Sequence, residues 1–233
     1  QESRLQDAKE ALEQAKKNGL AGEGIQEARY TLGVMLFKSE NFKEALETFK
    51  LTDFKDSKSY ILQCLYLQGE KSLFYELLDD FINQGKIGAM IGSLGSRAEV
   101  RYGLDRQNLF CKDPLKYVLK TDLSEQYDFE NLFVKKAKTI LDEGRISIKR
   151  QSLLTNGYQT SGNLFQLKDY LTNELEKIIK SEVEKYRAHF QDSEEGFLKN
   201  WPSDYSLYGW LISMKNGGEL AAHMHETGWL SGS

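Results

Sequence analysis

Two of the chain's three histidines, His223 and His225, stand one residue apart near the C-terminal end. On an extended backbone, residues i and i+2 project to the same face, so imidazoles at this spacing can reach one point in space. That is a ligand geometry. Imidazole suits iron, zinc, copper and nickel alike, so the pair by itself names no metal. The plain alternative is a pair of strand histidines facing solvent or satisfied by backbone. Nearby carboxylates are poorly placed on a regular strand. Glu226 has odd parity and needs a bulge to come round, and Glu219 stands four residues away, about 13 Å at ~3.3 Å per residue. The third histidine, His189, reads as structural, at a helix end where a positive imidazole suits the dipole. The sequence holds no phosphate-cradling glycine loop, no nucleophile with a motif-placed base and no zinc-type cysteine spacing.

Something must deliver the two imidazoles. Residues 210–215 read as a strand, Asn216-Gly217-Gly218 as a turn requiring positive φ, and 219–225 as a second strand, so a hairpin is expected. Upstream, Leu167, Leu171, Leu175, Ile178, Ile179, Val183 and Tyr186 recur at helical spacing. Residues 117–123 alternate like a strand, 129–141 read as helix, and 157–162 as a turn-rich loop. Gln159, Thr160 and Asn163 are polar residues in or beside that loop. They could face a substrate mouth, and loop chemistry explains them equally well. Trp201, Trp210 and Trp229 read as core before cage.

The first hundred residues follow another rule. Apolar residues at helical spacing, with glycine stops, predict helices over 5–15, 25–39, 58–67, 71–84 and 87–102, with Ala45-x3-Phe49 on a further helix. Tyr60, Cys64 and Leu67 share one face, and Phe74, Leu77, Leu78 and Phe81 another. Small residues at Gly33 and Ala45 let paired helices approach closely. Leu32-Gly33-x2-Leu36 followed by Ala45-x3-Phe49 resembles a tetratricopeptide repeat, whose period is ~34 residues. The match is partial. Arg29 stands where the pattern has Trp, Leu36 where it has Tyr, and the closing Pro is absent.

A second resemblance covers the latter half. Trp201-Pro202, the Tyr-x-Leu-x-Gly-Trp run of 205–210, Gly217-Gly218, His223-x-His225 and Trp229-Leu-Ser-Gly232 together resemble the 2-oxoglutarate- and Fe(II)-dependent oxygenase domains found behind tetratricopeptide repeats. The segment from Arg150 to Phe165, with its run from Leu154 to Phe165, is similar to the same family's segment before the core. The resemblance implies a double-stranded β-helix (jelly-roll), Fe(II) as cofactor, 2-oxoglutarate as cosubstrate and hydroxylation as the reaction. It also implies His223 and His225 as metal ligands and Trp229 as a wall of the substrate pocket. Enzymes of this class commonly use two histidines and a carboxylate. Here His225 stands where the carboxylate would, so it is either a ligand itself or the support of one. The expectation is the front part of a jelly-roll, inactive alone, with the remaining ligands and the cosubstrate's cation beyond Ser233.

The predicted fold class is therefore α+β: a helical, tetratricopeptide-like module over 1–104, a linker over 105–116 and the first part of an oxygenase-like jelly-roll over 117–233. With 31 basic and 35 acidic residues, the net charge of -4 leaves no basic stripe for nucleic acid. No apolar run approaches the ~18 residues of a membrane helix, so neither nucleic acid nor membrane is expected as partner. Two cysteines make no disulfide framework and point to a reducing, cytoplasmic setting. A protein or peptide partner on the helical repeats is the expected interaction. Two other readings stand beside the oxygenase: a helical-repeat scaffold with a non-catalytic C-terminal domain, and a zinc-binding fold using His-x-His.

Overall fold

The structure, a computed structural model, describes residues 2–149, 151, 153–223, 225 and 228–233, and of Glu2, Ser3 and Leu171 the backbone alone. The chain divides into two compact units, one of Gln1–Lys112, Glu195–Phe197 and Glu226–Ser233, the other of Asp113–Glu194 and Leu198–His225. Among the described residues, no helix is long and apolar enough to cross a membrane.

The first unit is built on six helices: α1 (Glu2–Lys17), α2 (Gly22–Lys38), α3 (Phe42–Phe49), α4 (Ser57–Gln68), α5 (Lys71–Asn83) and α6 (Ala89–Tyr102). Glycine ends two of them: Gly69 after α4 and Gly103 after α6 adopt the left-handed conformation that favours a residue without Cβ. Leu36, Ala45, Phe49, Leu62, Cys64, Phe74, Leu94 and Ala98 are fully enclosed. Phe49 stacks on Tyr60 at 4.9 Å, and Tyr30 and Phe37 meet the Tyr60 ring by their edges. Packed among α3, α5 and α6, helix α4 is apolar nearly all round, with Leu62, Cys64, Leu65 and Tyr66 buried. Leu67, at the same helical spacing as Tyr60 and Cys64, is 36% exposed. Phe197, in the short helix α9 (Gly196–Lys199), also belongs to this unit. Its N–H donates to the Phe110 carbonyl, and its ring lies 5.7 Å from that of Phe110.

The second unit opens on 3₁₀ turns at Pro114–Tyr117 and Leu123–Glu125. The expected strand over 117–123 is not formed. Pro114 has the fixed φ that starts the first turn, and the Asp122 carboxylate caps the second by accepting from the Ser124 N–H. A π-helical turn, Glu130–Lys135, runs into α7 (Lys136–Asp142). Strands β1 (Ile148–Lys149), β2 (Leu154–Thr160) and β3 (Ile212–Leu220) form an antiparallel sheet in the order β1-β2-β3, with α8 (Tyr170–His189) between β2 and β3 in sequence. Ile140 and Leu164 form a buried cluster with Ile146, Leu167 and Leu211 packed on it. Helices dominate, and the coarse fold is α+β.

Two further expectations are corrected here. Residues 157–160, read as part of a turn-rich loop, belong to β2, and Tyr158 pairs with Ser213 and Gln159 with Ile212. Residues 210–225 do not fold into a hairpin, because Asn216-Gly217-Gly218 lies inside β3. The ladder runs Gly157 to Met214 and resumes at Thr155 to Glu219, so Asn156 alone faces residues 215–218. This is an enlarged bulge. Gly217 supplies the positive φ, Asn156 adopts one too, and the Asn156 side-chain amide donates to the Gly217 carbonyl at 3.4 Å.

Candidate metal centre

Beyond β3 the ladder extends by one bond, from the Ala221 N–H to the Leu153 carbonyl at 2.8 Å. Residues 221–223 and 225 then leave the sheet, which corrects the expected strand over 219–225. Met224, which strand alternation would point into the other layer, and Glu226 lie outside the described residues. The imidazoles nevertheless face each other: His223 Nε2 and His225 Nε2 are 3.0 Å apart, and the ring centroids 4.9 Å.

Hydrogen bonding decides which nitrogens are available. His223 Nδ1 lies 2.8 Å from the Ala221 carbonyl, which can only accept. Nδ1 therefore carries the proton, and the Nε2 lone pair is directed at His225. A ring nitrogen held by backbone is the usual preparation of a metal-binding histidine, and here the other, Nε2, accepts from His225 Nε2–H at 3.0 Å, a bond that a metal would have to replace. A separation of 3.0 Å is that of an N–H···N hydrogen bond, and it places both imidazoles within reach of one metal ion at a metal–nitrogen distance of ~2.1 Å. Both histidines are exposed, leaving the opposite side of such a metal open.

The donor set fits a metal through two imidazoles. Among the described residues, no three His, Cys, Asp or Glu side chains converge. Glu219 is held in the ladder opposite Thr155. His189 ends α8 with its ring edge-on to Phe190 at 4.6 Å.

Trp210, read from the sequence as core, packs edge-on against His225 with centroids 5.2 Å apart. Its position just before β3 makes it the side chain that orients the second imidazole, and no sequence spacing announces the contact. Thr160 and Asn163 hold the approach to β3. The Thr160 hydroxyl accepts from the Leu211 N–H at 2.9 Å, and the Asn163 carboxamide accepts from the Gly209 N–H at 3.0 Å while donating to the Leu207 carbonyl at 2.9 Å. Gly209 is required at this point, since a Cβ there would lie 2.6 Å from the Phe165 ring. Gln159 sits in the ladder between Lys149 and Ile212. Trp229 is in the first unit, its indole N–H donating to the Phe197 carbonyl at 3.0 Å and its ring 5.1 Å from Phe110.

A scan against models of known protein families, a search of curated proteins and a search of solved structures give no match to this chain.

Proposed function

We propose that His223 and His225 are two adjacent ligands of Fe(II) in a 2-oxoglutarate-dependent oxygenase that hydroxylates its substrate. The observation that carries this reading is the 3.0 Å separation of their Nε2 atoms, with His223 Nδ1 tied to the Ala221 carbonyl. The motif resemblance of residues 201–232 supplies the choice of cosubstrate and the jelly-roll reading of the sheet. The first unit is read as a tetratricopeptide-like interaction module for a protein or peptide, supported by the close contact of Gly33 with Phe49 and the enclosure of Ala45.

Bound Fe(II) would supply a redox-active Lewis acid on which the keto acid and dioxygen meet. The chain's own residues do the positioning. Ala221 fixes the His223 tautomer, Trp210 limits rotation of the His225 ring, and Thr160 with Asn163 anchors the segment before β3. Affinity alone does not separate iron from zinc, because zinc outcompetes Fe(II) at most nitrogen sites. Linkage does. In an anaerobic titration, 2-oxoglutarate should tighten Fe(II) binding by the wild-type chain and have no effect on His223→Ala. Unchanged Fe(II) affinity in the presence of the keto acid would contradict the proposal and leave a helical interaction module with a non-catalytic second unit.

A further inference from the structure

On the first unit Arg106 pairs with Asp79, and Lys112 with Glu99 and Asp105, whereas Lys55 and Lys86 lie over aromatic rings. Three further cations, Lys71 on α5 and Arg97 and Arg101 on α6, share two rings. Arg97 and Arg101 both lie over the Tyr66 ring, at 5.1 and 5.0 Å from its centroid. Arg101 also lies over Tyr102 at 5.1 Å, and Lys71 over the same Tyr102 ring at 5.6 Å. Cations and rings thus alternate as Arg97, Tyr66, Arg101, Tyr102 and Lys71. Sharing one ring keeps the two guanidinium groups within about 10 Å of each other, close enough for their fields to add. Among the described residues, none of the three has a carboxylate within ion-pair distance.

Arg101 has a structural task, since its Nη1 donates to the Tyr66 carbonyl at 2.6 Å, in the last turn of α4. Arg97 and Lys71 have no such bond among the described residues, and both are exposed. Val100, one helical turn from Arg97 and next to Arg101, is 88% exposed and offers an apolar foothold beside the charges. In a chain of net charge -4, this local excess of positive charge calls for an anion from outside.

We propose that the face formed by Lys71, Arg97 and Arg101 around Tyr66, Tyr102 and Val100 is a docking surface for an acidic peptide segment. Carboxylate side chains pair with the guanidinium groups, and an apolar residue between them covers Val100. The inference rests on reading the first unit as an interaction module and is independent of the metal site.

Fluorescence anisotropy with the full chain tests it, using a labelled peptide rich in Glu and Leu, a neutral peptide and a Lys-rich peptide. The acidic peptide is expected to bind, more weakly as salt rises, and to lose about tenfold or more in affinity in the double variant K71E/R97E. Arg101 is left intact so that α4 stays capped, and an unchanged thermal midpoint of the variant verifies folding. Equal binding by wild type and folded variant overturns the inference. Preference for the neutral or Lys-rich peptide overturns it too, while leaving the interaction-module reading in place. Tighter binding of single-stranded RNA or of phosphatidylserine vesicles than of the acidic peptide assigns the face to another anion and overturns it as well.

Discussion

Gly33 in α2 and Phe49 in α3 approach so closely that a single added carbon does not fit: a Cβ on Gly33 would lie 2.6 Å from Phe49 Cε1. Phe49 has no easy retreat, being fully buried and stacked on Tyr60. Alanine at this position would add helix propensity of ~1 kcal/mol, while overpacking a rigid core costs ~1–3 kcal/mol. Gly33→Ala should therefore lower stability by about 1 kcal/mol net, and Phe49→Ala by ~3–5 kcal/mol. Urea unfolding measures both. A Gly33→Ala midpoint equal to or above wild type would show that the ring yields.

Thr160 and Asn163 bind the backbone of 207–211. Thr160 is 1% exposed, so Thr160→Val leaves the Leu211 N–H without its acceptor and should cost ~1–3 kcal/mol. Asn163→Ala removes three bonds and should cost more. Hydrogen exchange should quicken at the Gly209 and Leu211 amides and stay unchanged in α4. Unchanged exchange at both amides would assign these bonds no role in holding the approach to β3.

Cys64 is enclosed in α4, and burial pushes its thiol up from the ordinary 9.0 to about 12. Its thiolate is thus disfavoured in the folded chain more than in the unfolded one. The corresponding stability is whole below pH 9 and is lost as the pH rises from there toward about 12. Burial, then the bond to Asp56, moves the Tyr30 hydroxyl in the same direction. Stability of Cys64→Ala should fall less steeply than that of wild type across this range. Equal slopes would remove Cys64 from the account, as would fast labelling of its thiol in the folded chain at pH 8.

The helices of the first unit were legible because their cores repeat at helical spacing and Gly69 and Gly103 mark true ends. Leu67 is 36% exposed on that spacing, since apolar spacing marks a face without saying how far the covering neighbours extend. The same holds for residues 117–123: Val118 and Leu119 are 73% and 42% exposed, and an alternating pattern without a partner strand makes no ladder. Asn216-Gly217-Gly218 correctly signalled positive φ, yet a hairpin turn and a bulge make the same demand. What selected the bulge was pairing with β2, hidden in the sequence by Gly157 and its polar neighbours. His223 and His225 come together, though off the strand on which their spacing was read to align them. The Trp210 contact depends on the bulged path of β3 and was not readable from spacing.

Trp210 should matter to metal binding without being a ligand. Its edge rests on His225, so Trp210→Leu frees that ring while leaving both imidazoles in place. Supporting contacts of this kind typically change metal affinity ~10–100-fold. Competition with a chelator of known affinity measures the effect. An affinity equal to wild type would make Trp210 a packing residue only.

The central claim is that His223 and His225 share one metal ion, and anaerobic equilibrium dialysis against Fe(II), followed by metal analysis, tests it most directly. The account predicts weak binding that saturates at one Fe(II) per wild-type chain and is lost separately in His223→Ala and in His225→Ala, with the helical signal unchanged. Fe(II) retained undiminished by either variant, or none retained by the wild-type chain, would contradict it.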